Sequence, residues 1–345
     1  MPEPVGVGRN DQDVSPRIIL DLLHGKWRAQ AISVAAELGI ADILKDGPRS
    51  TEEIANTANV SKDAVYRLLR ALASLGLFCS LEGRRFALTP LGAYLRSDVP
   101  GSLRGFARFG GHDFTWRPWG QLAYSVRTGQ PAFDHVFGMR SFDYLATHPD
   151  VAAIVNDAMT AVTTTESTSI VKAYDFSGIG TLVDVGGGHG LLLASILKTD
   201  PGMRGILFEL PHAVGGATDL FRREGLADRC TAIGGDFLDA VPEGGDAYIL
   251  KKVIHDWDDG RASRILRNCH RAMAIRAKLL VVERVIRPGD EPDPPKFTDL
   301  EMLVLNYGRE RTETEFRELY EAAGFRLTRV VPTTSPLSII EGVRI

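Results

Sequence analysis

His255 is the residue in this sequence best placed to move a proton. It follows the apolar run Ala247–Leu250 in YILKKVIHDWDD, so it should stand just beyond the carboxyl end of a strand. A carboxylate on one imidazole nitrogen fixes the tautomer and leaves the other nitrogen free to take a proton. Two acids are candidates for that partner. Glu283 lies on the predicted strand Lys278–Ile286, where an acid is expensive unless paired, and Glu310 lies in NYGRERTE, just before a helix. A metal site is the competing reading of His255 and the acids after it. The stretch has no second His and no soft ligand, which favours a general base over a metal.

A second group of residues could cradle a ligand. Asp184, Gly186, Gly188 and Gly190 read D-x-G-x-G-x-G within LVDVGGGHG. The dinucleotide pattern G-x-G-x-x-G, started at Gly186, would need a small residue at 191, where this chain has Leu191. The glycines still permit positive φ and a close backbone approach to a ligand. An acid ahead of them suits a ligand bearing an ammonium or sulfonium charge rather than a pyrophosphate. Glu209, at the tip of the next strand, is placed to accept both hydroxyls of a ribose. An adenosine with a cationic, amino-acid-like tail is S-adenosylmethionine. The other reading is a Gly-rich turn in some different nucleotide fold. Asp236 and Phe237, in GGDFLD after the following strand, offer a carboxylate for an adenine amino group and a ring to cover the base.

These positions share one rim only if the chain alternates strand and helix. From Thr181 it does. Apolar runs at Thr181–Val185, Gly205–Phe208, Cys230–Ile233, Ala247–Leu250 and Lys278–Ile286 alternate with helical patterns near 191–198, 212–224 and 261–275. That is a doubly wound α/β domain, whose ligands bind beyond the carboxyl ends of its strands. A loop RPGDEPDPP leads to a helix at Phe297–Leu305. Thr312 and Glu315 then form a capping box for a helix at 312–323. Phe325–Val331 and Ser338–Val343 should close the sheet as an antiparallel pair.

Upstream, Pro16–Leu44 reads as helices, with Ile18, Ile19, Leu22 and Leu23 on one apolar face. Ser50 or Thr51 caps TEEIANTAN, Ser61 caps KDAVYRLLRALASLG, and LFCSLEGRRFALT makes a hairpin turning near Glu82–Gly83. Two helices and a hairpin suggest a winged helix-turn-helix, and hence a DNA-binding regulator as a second class of function. Residues 1–100 hold twelve Lys+Arg and twelve Asp+Glu, a net of zero, which argues against a nucleic-acid surface. Dimerisation is the commoner use of such a module beside an enzyme. Residues 90–175 look helical and carry aromatics from Phe106 to Tyr144, most of them core and some facing a pocket for a flat substrate.

The whole chain, 345 residues with a formal charge of −4, supports a packed two-domain protein with no general affinity for nucleic acid or membrane. Cys79, Cys230 and Cys269 are scattered and read as reduced thiols of a cytoplasmic protein. Neither a signal peptide nor a membrane-length apolar run is expected.

Taken together, LVDVGGGHG, FELPHAV, GGDFLDAVPEGGDAYILKKVIHDWDD, VVERVI, DLEMLVLNYGRERTETEF and AAGF resemble the S-adenosylmethionine-dependent small-molecule O-methyltransferases. These are the plant caffeate and isoflavone type with bacterial relatives in natural-product pathways. The resemblance implies a class I, Rossmann-like methyltransferase domain behind an N-terminal winged-helix dimerisation domain. It implies His255 as catalytic base flanked by Glu283 and Glu310. It places Lys251 and Trp257 with Gly186, Gly188, Glu209, Asp236 and Phe237 around the cofactor, and Met159, Met302 and Asn306 around the acceptor. Lys252 repeats the charge of Lys251, and Tyr307-Gly308-Arg309 departs from the plant loop before the final acid. The expected organisation is a flexible arm at 1–14, a dimerisation domain at 15–100, a helical linker and pocket region at 101–175, and the cofactor domain at 176–345. The expected reaction is transfer of a methyl group to a phenolic or enolic hydroxyl of an aromatic metabolite, by a homodimer, without metal, releasing S-adenosylhomocysteine. An N or C acceptor is the nearest alternative, and a DNA-binding sensor of the cofactor the distant one.

Overall fold

The structure is a computed structural model that describes residues 16–211 and 214–345. The arm expected at 1–14 lies outside the described residues. Compactness divides the chain into two units, with the division after Gly111. The expected linker 101–175 therefore supplies its first helix, Arg104–Gly111, to the first unit and its remainder to the second.

In the first unit, helices Pro16–Leu23, Gly25–Glu37, Ile40–Ile43, Thr51–Ala58 and Lys62–Ala73 precede the hairpin Phe78–Leu81/Arg85–Leu88. The expected caps form. Ser50 and Glu53 make a reciprocal capping box, and Ser61 accepts from the N–H of Ala64. A two-residue strand, Arg49–Ser50, adds to the hairpin antiparallel and was not expected. The core is Ile40, Leu44, Ile54, Leu69, Leu72, Phe78 and Phe86. The first helix buries none of its residues, and Ile18, Ile19, Leu22, Leu23 and Trp27 are each more than half exposed.

The second unit is built on seven strands: β1 (Thr181–Val185), β2 (Arg204–Glu209), β3 (Cys230–Gly234), β4 (Ala247–Lys251), β5 (Lys278–Glu283), β6 (Phe325–Pro332) and β7 (Ser338–Arg344). Their spatial order is β6-β7-β5-β4-β1-β2-β3. All pairs among β1 to β5 are parallel, and β7 runs antiparallel to both β5 and β6. Leu182, Val183 and Val185, and Ala247–Leu250, are fully enclosed because helices cover both faces of the sheet. That is why these strands read as mostly apolar runs, interrupted in β1 by Asp184, rather than as alternating patterns. The order reverses between β1 and β4, the switch point where such sheets open a crevice.

Six helices matter for the site: α1 (Pro149–Ala173), α2 (Leu191–Leu197), α3 (Val214–Arg223), α4 (Asp259–Ala272), α5 (Pro295–Leu305) and α6 (Glu313–Ala322). Shorter helices between 113 and 147 gather Phe114, Phe133, Phe137 and Tyr144 into one aromatic cluster. Phe142 stands apart from it and is exposed. Among the described residues no helix is long and apolar enough to cross a membrane.

The strand expected across Lys278–Ile286 is broken at Arg284. β5 ends at Glu283, and Val285–Ile286 pairs instead, in parallel, with Arg311–Thr312. This side pairing brings the residues around Glu310 back beside the end of β5. The expected capping box follows at once: Thr312 accepts from the N–H of Glu315, whose carboxylate accepts the N–H of Thr312 at 2.8 Å. Thr312→Ala should lower stability by about 1 kcal/mol, read as an earlier midpoint in urea unfolding. An unmoved midpoint would show that this cap carries no stability.

Candidate active site

The turn that carries His255 begins where β4 ends. Lys252 takes φ +54°, a left-handed conformation rare outside glycine, and Ile254–Asp256 then close one 3-10 turn. His255 is thereby folded inward, only 8% exposed. Fully buried Glu283, at the end of β5, holds the backbone of this turn. Its Oε1 accepts the N–H of Ile254 at 3.0 Å and of His255 at 3.3 Å. Its Oε2 lies 3.6 Å from Nδ1 of His255. Glu310 is closer, with Oε1 3.0 Å from Nδ1. That contact assigns the proton to Nδ1 as donor. Nε2, 3.8 Å from Oδ1 of Asp256, is the nitrogen left for proton exchange.

Three acids around one ring have an electrostatic consequence. Burial disfavours the imidazolium, but the charges of Glu283 and Asp256 and the hydrogen bond His255 donates to Glu310 outweigh it, raising His255 to about 9. Burial pushes Glu283 upward, with the charge on His255 pulling the other way. The donor atoms of His255, Glu283 and Glu310 all lie within 4.8 Å of one another.

The cradle forms beside this turn. Gly186 and Gly188 adopt φ +71° and +57°. A Cβ on Gly186 would meet Cγ2 of Val253 at 2.7 Å, whereas at Gly188 nothing lies within 4 Å, so there the backbone faces open space. Glu209 at the tip of β2 accepts the N–H of Gly188 at 2.9 Å and of Leu210 at 2.7 Å. Those bonds aim its carboxylate across the glycine loop. Phe237 lies beside Gly186 and meets Trp257 edge-on, centroids 6.0 Å apart. Asp236, next to it, is exposed, with Oδ1 accepting the N–H of Leu238.

Two expected cofactor residues are enclosed by the protein itself. Asp184 is fully buried beneath the loop, where a Cβ on Gly187 would lie 2.4 Å from its Oδ2. Neither carboxylate oxygen has a hydrogen-bond partner, and burial raises its pKa to about 7. Lys251 reaches α1, where Nζ donates to Oγ1 of Thr163 at 2.9 Å and lies 2.9 Å from Glu166. Lys252 joins it, 2.7 Å from the other oxygen of Glu166. Glu166 was missed in reading the sequence. Its signal was that it is the only charged residue between Asp157 and Lys172 on a long Thr/Ser-rich helix.

Of the expected acceptor-site residues, Asn306 is tied directly to the turn. Its Nδ2 donates to Oδ1 of Asp256 at 3.0 Å, and its Oδ1 accepts from Ser141. With Phe142, Trp257 and Tyr307 it lines a small cavity, in which the Phe142 and Trp257 rings stack at 6.1 Å. Met302 is buried on α5, and Met159 lies on α1, one turn before Thr163 and 37% exposed.

These residues fit a nucleoside with a positively charged tail. Open backbone at Gly188, an acid at the end of β2 and an aromatic pair suit the nucleoside. The orphaned carboxylate of Asp184 favours a positive ligand charge. The comparisons agree. The O-methyltransferase domain family matches residues 119–326, and the O-methyltransferase dimerisation domain family matches residues 20–98. A phenazine O-methyltransferase from Lysobacter antibioticus is 45% identical over 94% of this chain and 95% of its own. A phenazine-1-carboxylate N-methyltransferase from Pseudomonas aeruginosa is 32% identical over 97% of this chain and 99% of its own. A solved O-methyltransferase of neocarzinostatin biosynthesis, in complex with S-adenosylmethionine and 2-hydroxy-5-methyl naphthoic acid, superposes with a TM-score of 0.82. It shares 33% identity, over 97% of this chain and 100% of its own.

If Glu209 holds the ribose, Glu209→Ala should weaken S-adenosylhomocysteine binding by no more than about 3 kcal/mol in calorimetry, the range for a lost hydrogen bond to a charged group. Unchanged affinity in a folded variant would place the ribose elsewhere.

Proposed function

The chain belongs to the S-adenosylmethionine-dependent O-methyltransferases, carrying both the catalytic and the dimerisation domain of that family, and from that membership we propose that it methylates a hydroxyl of an aromatic natural-product precursor with His255 as general base. The observation that carries the proposal is the 3.0 Å hydrogen bond from Nδ1 of His255 to buried Glu310. It is supported by Glu283 bonding the backbone of the same turn.

S-adenosylmethionine supplies a methyl group made electrophilic by its sulfonium. Nε2 of His255 takes the hydroxyl proton, and the acceptor oxygen then attacks the methyl carbon. The carbon–oxygen bond forms, the carbon–sulfur bond breaks, and the products are a methyl ether and S-adenosylhomocysteine. Glu310 and Glu283 stabilise the imidazolium that results. Gly186, Gly188, Glu209, Asp236, Phe237 and Trp257 hold the nucleoside. Asp184 acts through its field from beneath the loop, and Lys251 through Thr163 and Glu166. Asn306, Met302, Met159 and the stacked pair Phe142–Trp257 favour a flat acceptor. The exposed apolar side chains of the first two helices, Ile18 to Trp27, favour a homodimer formed through the N-terminal unit. An acceptor nitrogen is the second reading, favoured by the relative named as an N-methyltransferase. No step uses a metal.

The base assignment makes three tests. His255→Ala should lower kcat on a weakly acidic phenol by roughly 10²–10⁴. The loss should be much smaller on a phenol already ionised at assay pH, and equal fractional losses on both would sink the assignment. The free ring must be neutral to act, and its pKa is raised to about 9. Accordingly kcat/KM should climb about tenfold per pH unit from neutrality and level near that value. A profile flat over the same range would rule out a titrating His255. Treatment with EDTA should leave turnover unchanged, and a loss restored by a divalent cation would assign the three-residue cluster to a metal instead.

A further inference from the structure

A buried arginine beside the base-holding acid has no part in the reaction described so far. Arg311 is 1% exposed, and its guanidinium uses every donor. Nε and Nη2 donate to Oδ1 of Asp259 at 3.0 and 2.7 Å. Nη2 also donates to the carbonyl of Trp257 at 3.0 Å. Nη1 donates to the carbonyls of Ile254 at 3.2 Å and Arg309 at 3.3 Å.

The choice of acceptors is informative. Ile254 and Trp257 bracket His255 and Asp256, so the fork holds both ends of the turn that carries the ring. Arg309 belongs to the opposing segment, next to Glu310. The guanidinium therefore spans the two backbones whose separation sets the distance from Nδ1 to Glu310. Their contact is close throughout. The N–H of Arg309 donates to the carbonyl of His255 at 2.9 Å, and a Cβ on Gly308 would lie 1.9 Å from that same oxygen. An arginine whose only task was to neutralise Asp259 would not need three carbonyls. Lysine could not replace it, because its donors radiate from one point and cannot fork across two segments.

We propose that Arg311 is a positioning residue of the active site, clamping the His255 turn against the Glu310 segment and so setting the orientation of the imidazole. The proposal rests on the reading of His255 as base, but its geometry can be tested without turnover. The charged and titratable groups around the ring are Glu283 and Arg284 at the end of β5, Asp256 on its own turn, and Glu310 and Arg311 opposite. Arg284 lies 3.7 Å from Glu310, and Asp299 on α5 accepts the backbone N–H of Glu310. If the clamp loosens, the contact from Nδ1 to Glu310 lengthens and the imidazolium loses its nearest support.

The test compares Arg311→Lys and Asp259→Ala with the unaltered protein. Asp259 is 60% exposed on its side chain, so its replacement loosens the fork without opening the core. Two readouts are needed: steady-state kinetics, and titration of the His255 ring by NMR, assigned with His255→Asn. For Arg311→Lys, kcat should fall roughly 10- to 100-fold, as for a small misplacement of a reacting group. The KM for S-adenosylmethionine should stay within about twofold. The ring should titrate about one pH unit lower or more. Asp259→Ala should move the ring and kcat in the same directions by less, and it decides the matter should Arg311→Lys fail to fold. Folded variants whose ring titrates as in the unaltered protein, with full kcat per folded molecule, would reduce Arg311 to a stabilising residue. A shifted ring with an active His255→Ala would keep the clamp and discard the base.

Discussion

A buried imidazole surrounded by carboxylates is the constraint around which the catalytic unit is arranged. Burial alone would strip His255 of its proton, and two enclosed acids without a cation would repel each other. Neither side is tolerable alone, so the groups must arrive together from three places. Glu283 comes from the end of β5, Glu310 from the segment beyond α5, and His255 from the turn after β4. The break at Arg284 and the short side pairing of Val285–Ile286 with Arg311–Thr312 are what let Glu310 arrive. A strand running straight through Ile286 would leave no edge for that segment.

The cofactor side is governed by backbone rather than charge. The switch of strand order at β1 and β4 opens the crevice, and the glycine loop fills it with main chain that carries no side chain to block a ligand. Val253, from the turn leading to His255, packs where a Cβ on Gly186 would be. The cradle and the catalytic turn are thus in van der Waals contact, and a change in one is felt in the other. Trp257 strengthens that coupling, since it closes the same turn and meets both Phe237 and Phe142.

What could be read from sequence follows from how local each signal is. Strands buried on both faces announce themselves as short apolar runs, and positive φ selects glycine, so β1, its loop and the acid at the tip of β2 were legible. His255 and Glu283 were legible because a charged residue at a strand end needs a partner, and Glu310 was legible only as an acid just before a helix. Asp184 was legible as the acid before the glycines, but its burial was not, because that depends on how Gly187 folds over it. The partner of Lys251 was hidden for a similar reason: Glu166 lies on α1, 85 positions earlier, and nothing near either residue reports the pairing. Arg311 read as one more charge in GRERTE, since only the folded turn reveals which carbonyls it meets. Interactions within a few residues, or imposed by strand geometry, were recoverable. Those depending on two distant segments meeting were not.

The raised basicity of His255 looks unhelpful at first, since a base with a pKa of about 9 is mostly protonated at neutral pH. The energetics say otherwise. Forming a phenolate from a phenol of pKa ~10 at pH 7 costs about 4 kcal/mol whatever the base, because pH and the phenol alone fix that difference. A free imidazole near 6.5 would be available but would transfer the proton uphill by more than three powers of ten. A ring raised to about 9 is mostly protonated at pH 7, but its neutral form transfers the proton less steeply uphill. The sum is almost the same, so the carboxylates do not make the proton easier to remove. They stabilise the imidazolium once it stands beside the new oxygen anion, inside a site with little water to do so. Glu310 and Glu283 therefore act on the state after proton transfer, which is the state from which the oxygen attacks.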